Sequence, residues 1–208
     1  VFRELGEKDN TVKCLNMIGL VNQGLGNVED ARNDFQTALD LSVKIGDKSQ
    51  EALMLGNLGT IDAQSWHLDP AYEKFTQSLE IARSTGDTYQ QMLMSINIGD
   101  VQLFHGDLNQ AATTHARAVE LARKINDPFN EALAHRALAW DHFYLANYRA
   151  SREAFGASKN LYQGIGDRRD AVISSIGGLM VQSRLAPFDM TAGELAGIEA
   201  KSRERNDA

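Results

Sequence analysis

Apolar residues recur along the chain at the spacing of an α-helix, in two successive runs that return about every forty residues. Within residues 48–86, a first run stops near Ser65 and a second run ends at Thr85. The apolar members of these two runs are Leu53, Leu55, Leu58, Ile61, Tyr72, Phe75, Leu79 and Ile81. Helical spacing places such side chains on one face, so each unit predicts two amphipathic helices.

A two-residue signal, Gly-Asp or Asn-Asp, closes each of these units. It begins at Gly46, Gly86, Asn126, Gly166 and Asn206. Glycine ends a helix in the left-handed conformation without steric cost, and the aspartate that follows accepts hydrogen bonds from the first N–H groups of the next helix. A fixed period of this kind is typical of repeat arrays, in which each unit stacks on its neighbour to bury its apolar face.

The pattern predicts ten helices in five antiparallel pairs and no β-sheet. The predicted pairs are 9–24 with 28–45, 48–65 with 69–85, 88–105 with 108–125, 128–145 with 148–165, and 168–184 with 189–205. We expect one all-α domain over residues 1–208, whose repeats are 8–46, 47–86, 87–126, 127–166 and 167–207. Gly6 lies forty residues before Gly46, so residues 1–6 are predicted to end a preceding second helix. We therefore expect the chain to be a fragment of a longer protein, with uncapped apolar ends through which copies can associate.

Small residues recur in the middle of each first helix, and large rings recur in each second helix. The small residues are Gly19, Gly59, Gly99 and Ala139, and the rings are Phe35, Phe75, His115 and Phe155. A glycine inside a helix costs about 1 kcal/mol relative to alanine, so its recurrence indicates a close approach of two helices. We expect each ring to fill the space beside a small residue, with His115 buried and hydrogen-bonded.

Composition narrows the functional classes. The formal net charge of −7 argues against a nucleic-acid groove, because such grooves concentrate Lys and Arg. No apolar run approaches the ~18 residues that a membrane-spanning helix needs. Cys14 is the only cysteine, so no internal disulfide can form, and a reducing compartment, the cytoplasm, fits best. Its place in an apolar helical pattern predicts a buried structural thiol.

The second unit resembles the tetratricopeptide repeat, whose pattern is an apolar residue and Gly, then Ala, an aromatic residue and Ala. The residues that carry the resemblance are Leu58, Gly59, Ala71, Phe75 and Ser78. The matching segments are residues 18–38, 58–78, 98–118 and, more loosely, 138–158. The forty-residue period is similar to that of kinesin light chains, spindle-orientation adaptors and sensor regions of bacterial regulators. The resemblance implies a right-handed α-solenoid of about five repeats that binds another molecule.

No motif in the sequence supports catalysis, a metal or a cofactor. Glu131, His135 and His142 lie on one predicted helix, but zinc sites usually place ligands closer in sequence and add a further group elsewhere. Residues 24–26 offer two glycines, yet no strand precedes them and the later glycine of a dinucleotide fingerprint is missing. We therefore predict neither an enzyme nor a metal or cofactor site.

The candidate site lies on the first helices, which are expected to line the concave face of a solenoid. Asn57 and Asn97 occupy the same place in successive repeats. The resemblance implies that such an asparagine lies in the inner groove, where its amide can clamp a peptide backbone. In the alternative interpretation, each amide only satisfies a contact between a helix and a loop.

Further side chains are predicted to line the same groove. They are Thr60, Gln64, Asp100, Phe104, Arg136, Trp140, Phe143 and Tyr144. Aromatic residues and arginine are common anchors of interfaces, although ordinary packing between repeats explains the cluster on the fourth first helix equally well. Trp66 stands at a turn in place of a glycine, where we expect it to cover the edge of a helix pair.

Two functional hypotheses follow. The first is a scaffold whose groove holds a peptide or a helix of a partner protein. The alternative is a sensor region of a larger bacterial signalling or transcription regulator, in which a small ligand or a domain contact alters the curvature of the array.

Overall fold

The computed structural model describes the backbone of residues 2–189 and the side chains of residues 8–185. This part of the chain is all-helical, as predicted. Its helices are α1 (Phe2–Gly24), α2 (Val28–Ile45), α3 (Lys48–Gln64), α4 (Leu68–Thr85), α5 (Thr88–His105), α6 (Leu108–Lys124), α7 (Pro128–Tyr144), α8 (Tyr148–Gly164) and α9 (Arg168–Asp189). The predicted helix at 189–205 lies outside the described residues. None of the described helices is both long and apolar enough to cross a lipid bilayer.

The helices form tandem antiparallel pairs joined by tight turns, with α1 packed on α2, α3 on α4, α5 on α6 and α7 on α8. Each pair stacks on the next, because α2 contacts α3, α4 contacts α5, α6 contacts α7 and α8 contacts α9. In addition, α5 contacts both α3 and α7 directly. The first helices of successive pairs therefore lie side by side and form one continuous surface, the first-helix surface.

The predicted Gly-Asp boundaries are confirmed by their geometry. Gly46 and Gly86 end α2 and α4 in the left-handed conformation, with φ of 74° and 73°. Asp47 and Asp87 then accept hydrogen bonds from the backbone N–H groups three residues on, at 3.0 Å and 2.9 Å. Local capping chemistry thus sets the ends of these helices.

The predicted break at Gly6 is wrong, because α1 runs without interruption from Phe2 to Gly24. Gly6 is followed by glutamate instead of aspartate, so the capping side chain that starts a helix elsewhere is missing. A glycine inside a helix costs only about 1 kcal/mol, which the rest of a long helix tolerates.

The predicted packing of rings against small residues is confirmed in the first three pairs. A methyl carbon on Gly19 or Gly59 would lie 2.6 Å from Cε1 of Phe35 or Phe75, and one on Gly99 would meet the ring of His115. The fourth ring, Phe155, differs. Its ring lies in one apolar cluster with Ala139, and a methyl carbon on Gly177 of α9 would also collide with it.

The prediction that Cys14 is buried is wrong, because its thiol is exposed. Met54 occupies the equivalent place in α3 and is 0% exposed, since the preceding helix pair covers it. No helix in the described range covers the corresponding side of α1. Accordingly, Ile18 and Val21 are 50% and 61% exposed. Association of copies through this apolar face stays a prediction.

Candidate functional site

A cleft of about 300 Å³ opens on the first-helix surface between α3 and α5. The turn between α3 and α4 forms its third side. Its lining residues are Thr60, Ala63, Gln64, Trp66, Leu68, Phe75, Asn97, Asp100, Val101 and Phe104. The floor is apolar, and polar side chains stand along the two first helices. We refer to this site as the α3–α5 cleft.

Half of the predicted groove residues meet in this cleft. They are Thr60, Gln64, Asn97, Asp100 and Phe104. The forty-residue period explains this meeting, since Thr60 and Asp100 hold one repeat position and Gln64 and Phe104 hold another. Equivalent positions on neighbouring first helices lie next to each other, so each pair of residues spans the cleft.

Two side-chain amides link α1 to α3 along the same surface. The Nδ2 of Asn57 donates to Oδ1 of Asn16 at 2.8 Å, and Nε2 of Gln23 donates to Oε1 of Gln64 at 3.1 Å. Asn57 does not line the α3–α5 cleft. Asn97 does, and within residues 8–185 its amide has no hydrogen-bond partner.

The predicted residues on α7 do not reach the cleft. Arg136 donates to Asp170 at 2.7 Å, and its guanidinium lies 5.4 Å from the centre of the Tyr162 ring. Trp140 packs edge-on against Phe155 at 5.1 Å. Arg136 and Trp140 thus join α7 to α8 and α9.

The other two α7 aromatics differ in exposure. Phe143 lies 5.7 Å from the Trp140 ring and 5.8 Å from the Tyr148 ring, so it belongs to the same packed cluster. Tyr144 is 58% exposed and holds the repeat position of Phe104. By repeat position Trp140 follows Thr60 and Asp100, and Tyr144 follows Gln64 and Phe104, and of these two α7 residues Tyr144 is the exposed one.

Trp66 is the exposed aromatic residue of the cleft that the predicted groove did not include. Its backbone is left-handed, with φ of 61°, at the repeat position that Gly26 and Gly106 hold. A non-glycine residue costs about 1–2 kcal/mol in this conformation. The indole is nevertheless 71% exposed and stands edge-on to Phe104, with the ring centres 5.6 Å apart. Ala146 is left-handed at the same repeat position, so the turn imposes this conformation, and it is the exposed ring beside Phe104 that makes Trp66 a candidate contact residue.

Replacing Trp66 by glycine should leave the free energy of unfolding within about 1 kcal/mol of the starting protein. Relief of about 1–2 kcal/mol of backbone strain offsets an aromatic contact worth about 0.5–1.5 kcal/mol. Urea unfolding measures the change. Ala146→Gly is the matched control, because Ala146 has φ of 59° at the same repeat position. A loss above about 2 kcal/mol for Trp66→Gly alone would mark the ring as structural.

A buried ionic cluster lies behind the cleft. Nδ1 of His115 is 2.6 Å from Oδ2 of Asp141, and both side chains are 0% exposed. Nε2 of His115 is 3.5 Å from Oδ1 of Asp100. Burial alone lowers the pKa of His115, but hydrogen bonds and charges from Asp100 and Asp141 outweigh it and raise the pKa to about 9. His115 is therefore an imidazolium at neutral pH.

Stability should fall between about pH 6.5 and pH 9 because of His115. Its pKa is about 6.5 in an unfolded chain, and the folded value of about 9 is higher, so the folded state binds the proton more tightly. The contribution is complete below pH 6.5 and disappears as the pH rises through 9. Urea unfolding at several pH values measures this slope. An equal slope in a protein that lacks the His115–Asp141 pair would contradict it.

Metal binding finds no support in the described residues. Among them, no group of three or more His, Cys, Asp or Glu side chains could hold a metal ion. Of the three residues considered in the sequence, two contact a cation, because Arg123 donates to Glu131 at 2.6 Å and lies 3.0 Å from Nε2 of His135.

The stacked pairs define the class of fold, a helical-repeat solenoid. Neither a protein-family model nor a curated protein matches the chain. One solved structure of similar fold is a signal transduction ATPase with numerous domains, which has a tetratricopeptide repeat sensor and comes from Pyrococcus horikoshii. Its TM-score is 0.71 and its identity 19%, and the match covers 85% of this chain and 28% of that one.

Two further similar structures are Rap proteins. The apo form of RapI has a TM-score of 0.71 and 10% identity, and the match covers 84% of this chain and 49% of RapI. A Rap protein complexed with competence and sporulation factor has a TM-score of 0.71 and 15% identity, covering 91% of this chain and 51% of that one. This chain therefore spans between about a quarter and about half of the three proteins it matches. At these identities the likeness shows the fold alone.

Proposed function

We propose that the chain is an interaction scaffold that binds a polypeptide segment along its first-helix surface. The observation that carries the proposal is the α3–α5 cleft, in which exposed Trp66 and Phe104 flank an apolar floor. Exposed aromatic rings beside an apolar pocket are typical anchors of protein interfaces. Asn97 adds an unpaired carboxamide, which can both donate to and accept from a peptide backbone.

Binding without catalysis agrees with the chemistry of the site. The titratable pair of His115 and Asp141 is completely buried and cannot touch a bound molecule. Asp100 is half-exposed in the cleft, where it can pair with a ligand.

The alternative is a sensor region of a larger regulator. One structure of similar fold is a tetratricopeptide repeat sensor within a signal transduction ATPase, and the match covers 28% of that protein. Another was determined with competence and sporulation factor bound. Both alternatives use the same surface for recognition, and they differ in whether binding changes the activity of a joined domain. Measurement of that activity in the full-length protein, with and without ligand, separates them.

A random-peptide display library, selected on the immobilised protein, tests the scaffold proposal. We expect enrichment of peptides whose binding is lost with Phe104→Ala, because that change removes one anchor of the cleft. Tyr89→Ala is the control, since Tyr89 is 50% exposed but does not line the cleft. Failure to enrich any peptide, or equal losses with both variants, would contradict a binding role for the cleft.

The double variant Asn57→Ala, Asn97→Ala should weaken binding of a selected peptide by about 1–3 kcal/mol, because peptide backbone groups lose their partners. The two single variants should differ in stability. Asn57→Ala removes the bond to Asn16 and should lower the free energy of unfolding by about 0.5–1.5 kcal/mol, whereas Asn97→Ala should leave it unchanged. Calorimetric binding and urea unfolding of each single variant measure these effects. If Asn97→Ala destabilises the fold and leaves binding intact, the amide is structural.

A further inference from the structure

We infer that the α3–α5 cleft takes a basic side chain, lysine or arginine, from the bound polypeptide. The inference rests on the proposed function and specifies what this part of the surface recognises. Four features of the cleft carry it: its charge, the partners of that charge, its hydrogen-bonding groups and its apolar walls.

The charge of the cleft is negative. Asp100 is the only ionisable residue among those that line it, and no lysine or arginine does so. The Asp100 side chain is 49% exposed, so its carboxylate is within reach of a ligand. Near the rim, Asp69 lies 3.5 Å from His105 and is 88% exposed, which adds a second carboxylate that faces water.

The buried imidazolium is shared between Asp100 and Asp141, so it offsets the charge of Asp100 only in part. His115 lies 2.6 Å from Asp141 but 3.5 Å from Asp100, so its closer partner is the buried one. One positive charge between two carboxylates leaves a net negative charge, and only Asp100 of the two is exposed. A cation is therefore attracted to the cleft, and the carboxylate of a ligand is repelled.

The polar wall presents three acceptor groups, on Thr60, Asn97 and Asp100, beside the side-chain amide donors of Gln64 and Asn97. Thr60 already donates its hydroxyl proton to the carbonyl of Gly56 at 3.0 Å, so its oxygen can only accept from a ligand. Asp100 only accepts, and Asn97 has a free amide oxygen. A lysine ammonium carries three donors and no acceptor, and a guanidinium carries five donors and no acceptor. The oxygens of Thr60, Asn97 and Asp100 can thus accept hydrogen bonds from a basic side chain.

The apolar floor suits the stem of such a side chain. Phe75 and Val101 line the cleft below Trp66 and Phe104. Long basic side chains bury their methylene groups on apolar surface while the charge reaches a polar edge, and an aromatic ring near the charge adds a favourable contact. The volume of about 300 Å³ is at the lower limit for ligand pockets, which fits one side chain better than a whole small molecule.

Peptide selection and substitution test the inference. Peptides selected from the random display library on the wild type should share a lysine or arginine at one position. Replacing that lysine by norleucine, or that arginine by citrulline, should weaken binding roughly three- to tenfold, because a half-exposed ion pair and a cation–π contact are lost. Asp100→Asn should weaken binding of the basic peptide by a similar factor, and it should weaken binding of the neutral peptide much less. Glu80→Gln is the matched control, because Glu80 is an exposed carboxylate on α4 outside the cleft. This variant should bind both peptides as the wild type does.

The outcomes separate the two proposals. If peptides are selected but the norleucine or citrulline peptide binds as tightly as the basic peptide, recognition of a basic side chain is contradicted. The proposal of a polypeptide-binding scaffold is then still supported. If no peptide is selected, the scaffold proposal fails, and the cleft is still tested directly with n-butylammonium, followed by the indole N–H resonance of Trp66. That resonance should shift with n-butylammonium more than with 1-butanol, and the difference should vanish in Asp100→Asn. Equal shifts with both compounds would overturn the inference.

Discussion

Replacing Phe75 by alanine should lower the free energy of unfolding by about 3–5 kcal/mol, as is usual for loss of a large ring from a packed core. The ring is 2% exposed and lies against Gly59 of α3. It also packs with Val101 of the next pair. Removal of the ring therefore weakens the α3–α4 pair and also its contact with α5. Denaturant unfolding measures the sum of the two effects.

Two variants control this result. Lys48→Ala should stay within about 0.5 kcal/mol, because Lys48 is exposed and its pair with Glu51 is a surface ion pair. Gly59→Ala should be costly in the starting protein, where its methyl carbon would lie 2.6 Å from Phe75, and much less costly after Phe75→Ala. Equal losses for Phe75→Ala and Lys48→Ala, or additive losses for the glycine and the ring, would mean that the packing is misassigned.

The fold could be predicted because its signals are local and repeated. Gly46-Asp47 and Gly86-Asp87 determine where helices end and begin, and this chemistry depends only on neighbours in sequence. Burial of a given side chain depends on what packs against it. Cys14 and Met54 hold the same repeat position, yet only Met54 has a preceding pair over it. Sequence periodicity alone cannot distinguish these two environments.

The site was predicted in part for the same reason. The forty-residue period placed Thr60 beside Asp100 and Gln64 beside Phe104, since equivalent positions are neighbours in a stack. Arg136 does not follow this row, because its repeat position is that of Ile96, which is buried between helices.

The residues missed by sequence reasoning depend on side chains from different repeats. Trp66 is expected from the sequence only at the edge of a helix pair, because its contact with Phe104 crosses from one repeat to the next. The cluster of Asp100, His115 and Asp141 was missed because its members come from three helices in two repeats. No spacing rule within one helix brings such groups together.

Asp141→Val should lower the free energy of unfolding by about 3–5 kcal/mol, because it leaves the buried imidazolium of His115 without its closest partner. His115→Phe should also lower the free energy of unfolding, because it leaves the carboxylate of Asp141 unpaired at 0% exposure. Each change alone breaks a buried pair, and denaturant unfolding at neutral pH measures both.

The double variant His115→Phe, Asp141→Val should recover most of this loss and can exceed the starting stability by about 1–4 kcal/mol, as other buried ion pairs do when apolar residues replace them. The repeats themselves supply the design. Phe75 already packs against Gly59 as the new ring would against Gly99, and Val101 and Val181 already hold the position of Asp141. The free energy of unfolding of the double variant should also no longer show the fall between pH 6.5 and 9 that His115 causes. A double variant as unstable as either single variant would contradict this expectation. It would show that the whole hydrogen-bond network stabilises the cluster, including the contact of 3.2 Å between Nε2 of His115 and the carbonyl of Ile96, and that apolar residues from the other repeats cannot replace it.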